Sequence, residues 1–291
     1  MERGERLADP KTRQMPDLTL DHVIIGVADL KTSAEALGLT LGRRPSWRGR
    51  HPSYGTANVL FRLENAYLEL LAPDPDATSN TAWTGSLGRF LRERGEGLFS
   101  IALQTSDVVA STARARANGL PVEDPLPGSG VDLDTGATRA WVNARIPPES
   151  TRGTRCFFIE HKSPPSALPL AGPIGDPNAA AGGIAAAVAS SAEPEGARRM
   201  WREVFGLVEA PALAGGWRFD LGNATLFLQT GPVAGEAPDR WESLVLKVPN
   251  LATAADRLRV SGLVAAGASA AGFEGLALNI CGARVLLTEA M

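Results

Sequence analysis

The chain contains only three histidines, His22, His51 and His161, and few carboxylates placed to work with them. His22 stands at the opening of the apolar run Val23 to Val27. Glu69 lies inside Ala66-Tyr67-Leu68-Glu69-Leu70-Leu71. Both segments read as strands. An imidazole entering one strand and a carboxylate inside another could meet if the strands belong to one sheet. Strand alternation puts Tyr67, Glu69 and Leu71 on one face and Leu68 and Leu70 on the other. A carboxylate on such an amphipathic face needs a cation, a donor or water, because burial alone raises its pKa. His51 sits in Arg48-Gly49-Arg50-His51-Pro52-Ser53-Tyr54-Gly55, among the basic residues Arg43, Arg44, Arg48 and Arg50. A solvated connector is the simpler reading of that loop. The functional one is a lid that brings His51, Tyr54 and arginines over an anionic ligand. Alternation turns His161 away from its neighbour Glu160, which makes His161 peripheral. Cys156 and Cys281 have no metal or redox spacing. Nucleophile elbow, Walker loop, dinucleotide fingerprint and zinc-finger spacing are all missing.

Four repeated units must position these groups. In each, an apolar strand runs into a helix with a capping side chain (Asp29, Asp107, Ser190 or Ser191, Asn250). Each helix stops at Gly-Leu: Gly38-Leu39, Gly119-Leu120, Gly206-Leu207 and Gly262-Leu263. Ending at Gly38 makes the first helix about a turn shorter than the second and fourth. Further strand-like runs follow each helix, so every unit reads β-α-β-β-β. Leu87 to Arg94 reads as a helix connecting the first two units. The Gly- and Pro-rich stretches at Ser163–Pro177 and Gly231–Pro238 read as joints. The fold class is therefore α+β, with tandem βαβββ modules whose paired sheets curl into open, barrel-like walls around a cleft and carry helices outside. The organisation expected is a flexible tail over 1–18, modules one and two over 19–165, a linker over 166–181, and modules three and four over 182–291.

The chain has 291 residues and a formal net charge of -3, with no basic stripe interleaved with aromatics. That argues against nucleic acid as a partner. No apolar stretch is long enough to span a membrane. The polar start lacks a secretory core and the cysteines lack a disulfide pattern, so a cytoplasmic location is expected.

The phrases Leu20-Asp-His-Val-Ile-Ile-Gly-Val, Gly49-Arg-His-Pro-Ser-Tyr-Gly-Thr-Ala-Asn58, Tyr67-Leu-Glu-Leu-Leu-Ala-Pro73 and Phe157-Phe-Ile-Glu160 resemble a glyoxalase-like domain of the vicinal oxygen chelate superfamily. The resemblance is specific over about Thr19 to Pro165 and continues as a repeat-level likeness beyond. It implies a divalent metal in the cleft, held by residues of the first and last strands of each module. His22 matches the first-strand ligand and Glu69 the last-strand ligand of module one. In module two the first-strand position is Ser100, a poor ligand. Aligning Pro73 with Pro164 makes Glu160 the last-strand counterpart. Modules three and four offer Gly183 with Phe227 and Ser243 with Leu286, which bind no metal. The implied ligand set is His22, Glu69 and Glu160, suited to Mn, Fe, Ni or Zn. Ser100, where a second histidine would stand, speaks against a two-histidine-one-carboxylate oxygenase.

The resemblance further implies Glu69 and His51 as proton-transfer groups, and Tyr67, Arg50, Tyr54, Asn58 and Ser100 as substrate contacts. The expected activity is a metal-dependent lyase or isomerase acting on a small carbonyl or oxygen-chelating metabolite. The alternative is a metal-free small-molecule binding protein of the drug-sequestering kind. The second half is expected to be structural. A small-molecule ligand is the expected partner, and a homodimer stays open.

Overall fold

The computed structural model describes residues 18–78, 81–210, 215–231 and 237–289. Nearly all of the expected N-terminal tail and most of the Gly231–Pro238 joint lie outside the described residues.

Modules one and two form a closed barrel. Module one comprises β1 (Thr19–Gly26), α1 (Leu30–Leu41), β2 (Trp47–His51), β3 (Thr56–Arg62) and β4 (Tyr67–Pro73). The helix α2 (Ala82–Arg94) leads to module two: β5 (Gly97–Gln104), α3 (Val108–Ala117), β6 (Leu126–Asp132), β7 (Thr138–Arg145) and β8 (Cys156–His161). The strand order is β1-β4-β3-β2-β6-β7-β8-β5, closed by β1 against β5. Across the barrel, β2 meets β6 at Gly49↔Asp132 and Arg50↔Val131. Glycine is required at this seam. A Cβ on Gly49 would lie 2.7 Å from the Val131 carbonyl oxygen and 2.1 Å from Trp47 Nε1.

The second half is an open eight-stranded sheet. It contains β9 (Gly183–Ser191), α4 (Pro194–Arg199), β10 (Val208–Ala210), β11 (Gly216–Asp220), β12 (Thr225–Thr230), β13 (Asp239–Val248), α5 (Leu251–Val260), β14 (Ala266–Ala270), β15 (Phe273–Ile280) and β16 (Ala283–Glu289). Its order, β10-β11-β12-β9-β13-β16-β15-β14, pairs module three with module four through β9 and β13. The βαβββ architecture expected from the repeats is the one observed.

Local chemistry explains the helices, with two corrections. Asp29 Oδ1 accepts from the Lys31 and Thr32 amides, Asp107 Oδ1 from Ala110, and Asn250 Oδ1 from Thr253. These bonds satisfy amides that have no partner within the helix. The first helix does not stop at Gly38. It runs one turn further to Gly42, which takes the left-handed conformation at φ 65°. Gly38 lies inside α1 because a Cβ there would press on the Arg43 carbonyl oxygen at 3.0 Å. The third helix lacks the expected serine cap. Its cap position is Glu193, without a side-chain cap bond; Ser191 Oγ accepts from the Glu193 amide at 3.0 Å, just ahead of the helix, and donates to the buried Asp239 at 2.5 Å.

One continuous apolar core runs through both halves. It joins Val23, Ile25, Leu68 and Phe158 outside the barrel to Trp201, Phe219, Leu244 and Val285 of the second sheet. Polar latches reinforce the junction. Asn223 Nδ2 donates to the Leu20 and Asn65 carbonyls, and its Oδ1 accepts from the Leu20 amide. Asn65 in turn bonds both backbone groups of Ile184. The inner face of the second sheet is packed by Phe227, Val245, Leu286 and Phe273. It offers a filled apolar layer where the barrel offers a chamber.

Candidate functional site

The chamber lies inside the barrel and holds about 730 Å³ of empty space, part of it open to solvent. Strand alternation builds its wall. On β1 and β4, His22, Ile24, Tyr67, Glu69 and Leu71 face inward. Val23, Ile25, Leu68 and Leu70 face outward into the common core. Asn58 on β3 and His51 on β2 complete a polar strip, and Ile24, Leu71, Trp83, Phe157 and Ile159 form an apolar side.

The strip is a continuous hydrogen-bonded row. His161 Nε2 meets Asp21 Oδ1 at 2.8 Å, and Asp21 Oδ2 meets His22 Nδ1 at 2.6 Å. His22 Nε2 lies 3.2 Å from Glu69 Oε2. Asn58 Nδ2 donates to Glu69 Oε1 at 2.8 Å and lies 3.1 Å from His51 Nε2. His51 Nδ1 reaches Thr56 Oγ1 at 3.0 Å. Two neighbouring residues of one strand, Asp21 and His22, normally face opposite ways. Here the pairing of β1 with β5 shifts between Leu20 and His22, which leaves Asp21 as an extra residue and turns its carboxylate onto the ring.

Electrostatics follow from the row. Burial opposes charge on His22, but hydrogen bonds to Asp21 and Glu69 raise its pKa to about 9. Burial pushes Glu69 up, yet the His22 hydrogen bond and charge outweigh it and hold the carboxylate below its usual range. Asp21 is likewise held low by His161 and His22 against its burial. His51 is driven down by burial and so stays neutral. Its neutral form fits the contacts: Nδ1–H donates to Thr56, and Nε2 accepts from Asn58. At neutral pH the row therefore holds an imidazolium between two carboxylates, beside an uncharged imidazole.

The expected residues divide. His22, Glu69, His51, Tyr54, Asn58 and Tyr67 all line the chamber. The Tyr67 ring stacks on His22 with centroids 4.4 Å apart. Arg50 does not belong to it, because its guanidinium bonds Asp76 at 2.7 Å and faces Asp74 at 3.6 Å outside the barrel. The basic loop is not a lid. His51 is buried, and the Tyr54 and Gly55 amides close a tight turn on its carbonyl. Ser100 is buried outside the chamber lining, with Oγ donating to the Arg155 carbonyl at 3.2 Å. His161 is not peripheral, since it completes the row at Asp21.

Glu160 needs the larger correction. The pairs His22↔Ala102 and Ile24↔Ser100 exchange under the pseudo-two-fold of the barrel, so Ser100 is the counterpart of His22 and Ala102 that of Ile24. Ile24 pairs with Glu69 on β4, and Ala102 pairs with Phe157 on β8. The counterpart of Glu69 is therefore Phe157. Glu160 points outward, where it pairs with Lys162 and its Oε2 accepts from the Val108 amide at 3.1 Å, at the start of α3. Aligning the two prolines slipped the register by three residues and turned the side chain to the wrong face.

Members of the superfamily commonly hold a divalent metal, and the donors of this chamber fit one poorly. Module one supplies His22 and Glu69, and module two supplies Ser100 and Phe157. The His22 Nε2 proton is engaged by Glu69, and a metal ligand must give up that proton. Among the described residues, no three His, Cys, Asp or Glu side chains converge as a metal-holding group. The chamber wall also contains two unpaired acceptors. Asn58 Oδ1 and Asn143 Oδ1 are buried with no hydrogen-bond partner among the described residues.

Sequence reasoning missed Asp21, Trp141, Asn143 and Phe157. The Asp-His pair was visible, but only the bulge brings the two side chains together. Trp141, Asn143 and Phe157 enter through the register of module two.

The family model described as glyoxalase-like domain matches residues 20–205. No curated protein sequence matches significantly. Among solved structures, a hypothetical protein from Staphylococcus aureus aligns with a TM-score of 0.67 at 16% identity, over 94% of this chain and 100% of that one. A xylose isomerase-like TIM barrel/4-hydroxyphenylpyruvate dioxygenase fusion protein aligns with a TM-score of 0.58 at 15% identity, over 91% of this chain and 42% of that one. Methylmalonyl-CoA epimerase from Mycobacterium tuberculosis aligns with a TM-score of 0.41 at 24% identity, over 52% of this chain and 93% of that one. The first two likenesses bear on the fold, and the family match covers well over half of the chain: the chain belongs to the glyoxalase-like domain family, within the vicinal oxygen chelate superfamily.

Proposed function

We propose that the barrel is a metal-independent binding chamber for a small, largely apolar organic molecule that carries hydrogen-bond donors. The observation that carries this reading is Phe157. An aromatic side chain stands at the position related by symmetry to Glu69, with its ring 5.7 Å from the His22 ring. It converts half of a chelating site into an apolar wall. Trp83, Ile24, Leu71 and Ile159 extend that wall. The unpartnered oxygens of Asn58 and Asn143 select a ligand with hydroxyl or amine donors, because a buried acceptor left without a donor costs roughly 1–3 kcal/mol. Mixed apolar walls with a few polar groups are the usual make-up of small-molecule pockets.

A thermal-shift screen with phenols, aromatic alcohols and aromatic amines tests the reading. Such compounds should raise the melting temperature of the native protein and have little effect on an Asn58→Leu variant. Stabilisation by divalent ions alone, with none from organic ligands, overturns it.

A second reading is the metal-dependent lyase or isomerase acting on a small carbonyl compound. It draws support from Asp21, whose bond to Nδ1 fixes the His22 ring with Nε2 toward the chamber, as carboxylates do for metal-bound histidines. In that case Glu69→Gln abolishes turnover and ion content together.

A further inference from the structure

A second cavity lies between the barrel and the C-terminal sheet and shares no lining residue with the chamber. It encloses about 850 Å³ of empty space, part of it open to solvent. The end of α2, the start of β5 and the turn before β8 supply one wall. The start of β13 and the β15–β16 turn supply the other. Four arginines line it, Arg94, Arg155, Arg240 and Arg284, against two carboxylates, Glu96 and Glu242.

Both carboxylates are already engaged. Glu96 Oε1 accepts from the Ala28 amide at 2.8 Å. Glu242 Oε2 accepts from Arg240, 2.8 Å from Nε and 2.7 Å from Nη2. Arg94, Arg155 and Arg284 form no ion pair among the described residues. Arg155 is the built element. Its carbonyl is held by the Trp241 indole at 2.9 Å and by the Ile101 amide at 3.2 Å. Its guanidinium lies against two aromatic faces, 5.2 Å from the Phe99 centroid and 5.7 Å from that of Phe90. Its Nε is buried and has no acceptor among the described residues. Burial, and then the like charges of Arg94 and Arg89, outweigh the one opposing charge of Glu93 and lower its pKa.

We propose that this cleft is an oxyanion site that takes the phosphate group of a small molecule, with Arg155 as the fixed donor and Arg94 and Arg284 closing from the two halves. A planar guanidinium locked by aromatic faces is suited to bidentate recognition of phosphate. The uncompensated guanidinium groups of Arg94, Arg155 and Arg284 are what such a group would satisfy. Phe90, Phe99 and Trp241 give the cleft apolar surface beside the charges, which suits an ester better than a free ion. The cleft is formed by both halves of the chain, so its occupant would also tie them together.

Inorganic pyrophosphate and adenosine monophosphate are the probes, titrated into the full chain by calorimetry and thermal shift, with sodium chloride matched for ionic strength. Either probe should bind saturably and raise the melting temperature beyond the chloride control. Tighter binding of the nucleotide than of pyrophosphate assigns a phosphate ester, and the reverse order assigns a free oxyanion. Arg155→Gln should weaken binding at least about tenfold, the order expected for loss of one charge-assisted contact. Because Arg155 also packs on aromatic rings, the exposed pair Arg94→Gln/Arg284→Gln serves as a second variant with the same expected loss. The chamber variant Glu69→Gln should bind both probes as the native chain does. Absence of saturable binding, stabilisation no greater than chloride gives, or full binding retained in the Arg94→Gln/Arg284→Gln variant overturns the proposal.

Discussion

Between pH 6.5 and 9 the folded chain should carry one proton on His22 that the unfolded chain does not. The folded pKa lies above the unfolded one. The stabilisation is therefore complete below pH 6.5, falls as pH rises, and is gone above pH 9. A rise from 6.5 to about 9 corresponds to roughly 3 kcal/mol, at about 1.4 kcal/mol per pH unit. The group is fully enclosed, with side chains of His22, Asp21 and Glu69 exposed by 4%, 1% and 8%, so solvent screening takes little from this figure. Urea denaturation of the native chain and a His22→Gln/Glu69→Gln variant across this range isolates the effect. The double variant is the right comparator because burial would push the Glu69 carboxyl up once its imidazolium partner is gone and add a second titration to the comparison. The stability difference between the two proteins should shrink by roughly 3 kcal/mol from pH 6.5 to pH 9. Parallel curves over that range would refute the claim that Asp21 and Glu69 hold His22 as an imidazolium.

Ser100→His combined with Phe157→Glu restores two donors in register with His22 and Glu69. This variant should acquire a divalent ion, read by elemental analysis after dialysis. Asn223→Ala removes three hydrogen bonds between the halves and should cost about 2 kcal/mol in urea unfolding. Arg152→Ala strips the buried Asp239 of its 2.8 Å ion pair and should cost about 3 kcal/mol, because an unpaired buried carboxylate remains. Gly128→Ala should destabilise the barrel and perturb tryptophan fluorescence, since a Cβ there would lie 2.3 Å from Trp141 Nε1 and 2.6 Å from the Tyr54 hydroxyl.

Much of this arrangement is legible from local chemistry. Asp29, Asp107 and Asn250 mark helix starts because their side chains can reach amides only a few residues away. Glu69 could be placed facing His22 from alternation alone, given that β1 and β4 pair. Features that depend on register escaped. Glu160 and Phe157 are three residues apart, an odd step that reverses the face, and only the pairing of β5 with β8 decides which one looks inward. The bulge at Asp21 is another such case, because it defeats the alternation that would point Asp21 away from His22. Gly38 misled because a glycine can end a helix or sit where a neighbour comes close, and here the Arg43 carbonyl, 3.0 Å from where a Cβ would stand, favours the second. Arg50 was legible as a charge but not as a paired one, since Asp74 and Asp76 reach it from the loop after β4.

The central claim is that Phe157 makes the chamber a ligand site without a metal. Elemental analysis of the full chain tests it most directly, after purification without chelator and after soaking with Mn, Fe, Ni and Zn, beside Glu69→Gln. The account predicts the same low, substoichiometric content in both proteins. A near-stoichiometric ion in the native chain that is lost in Glu69→Gln would contradict it.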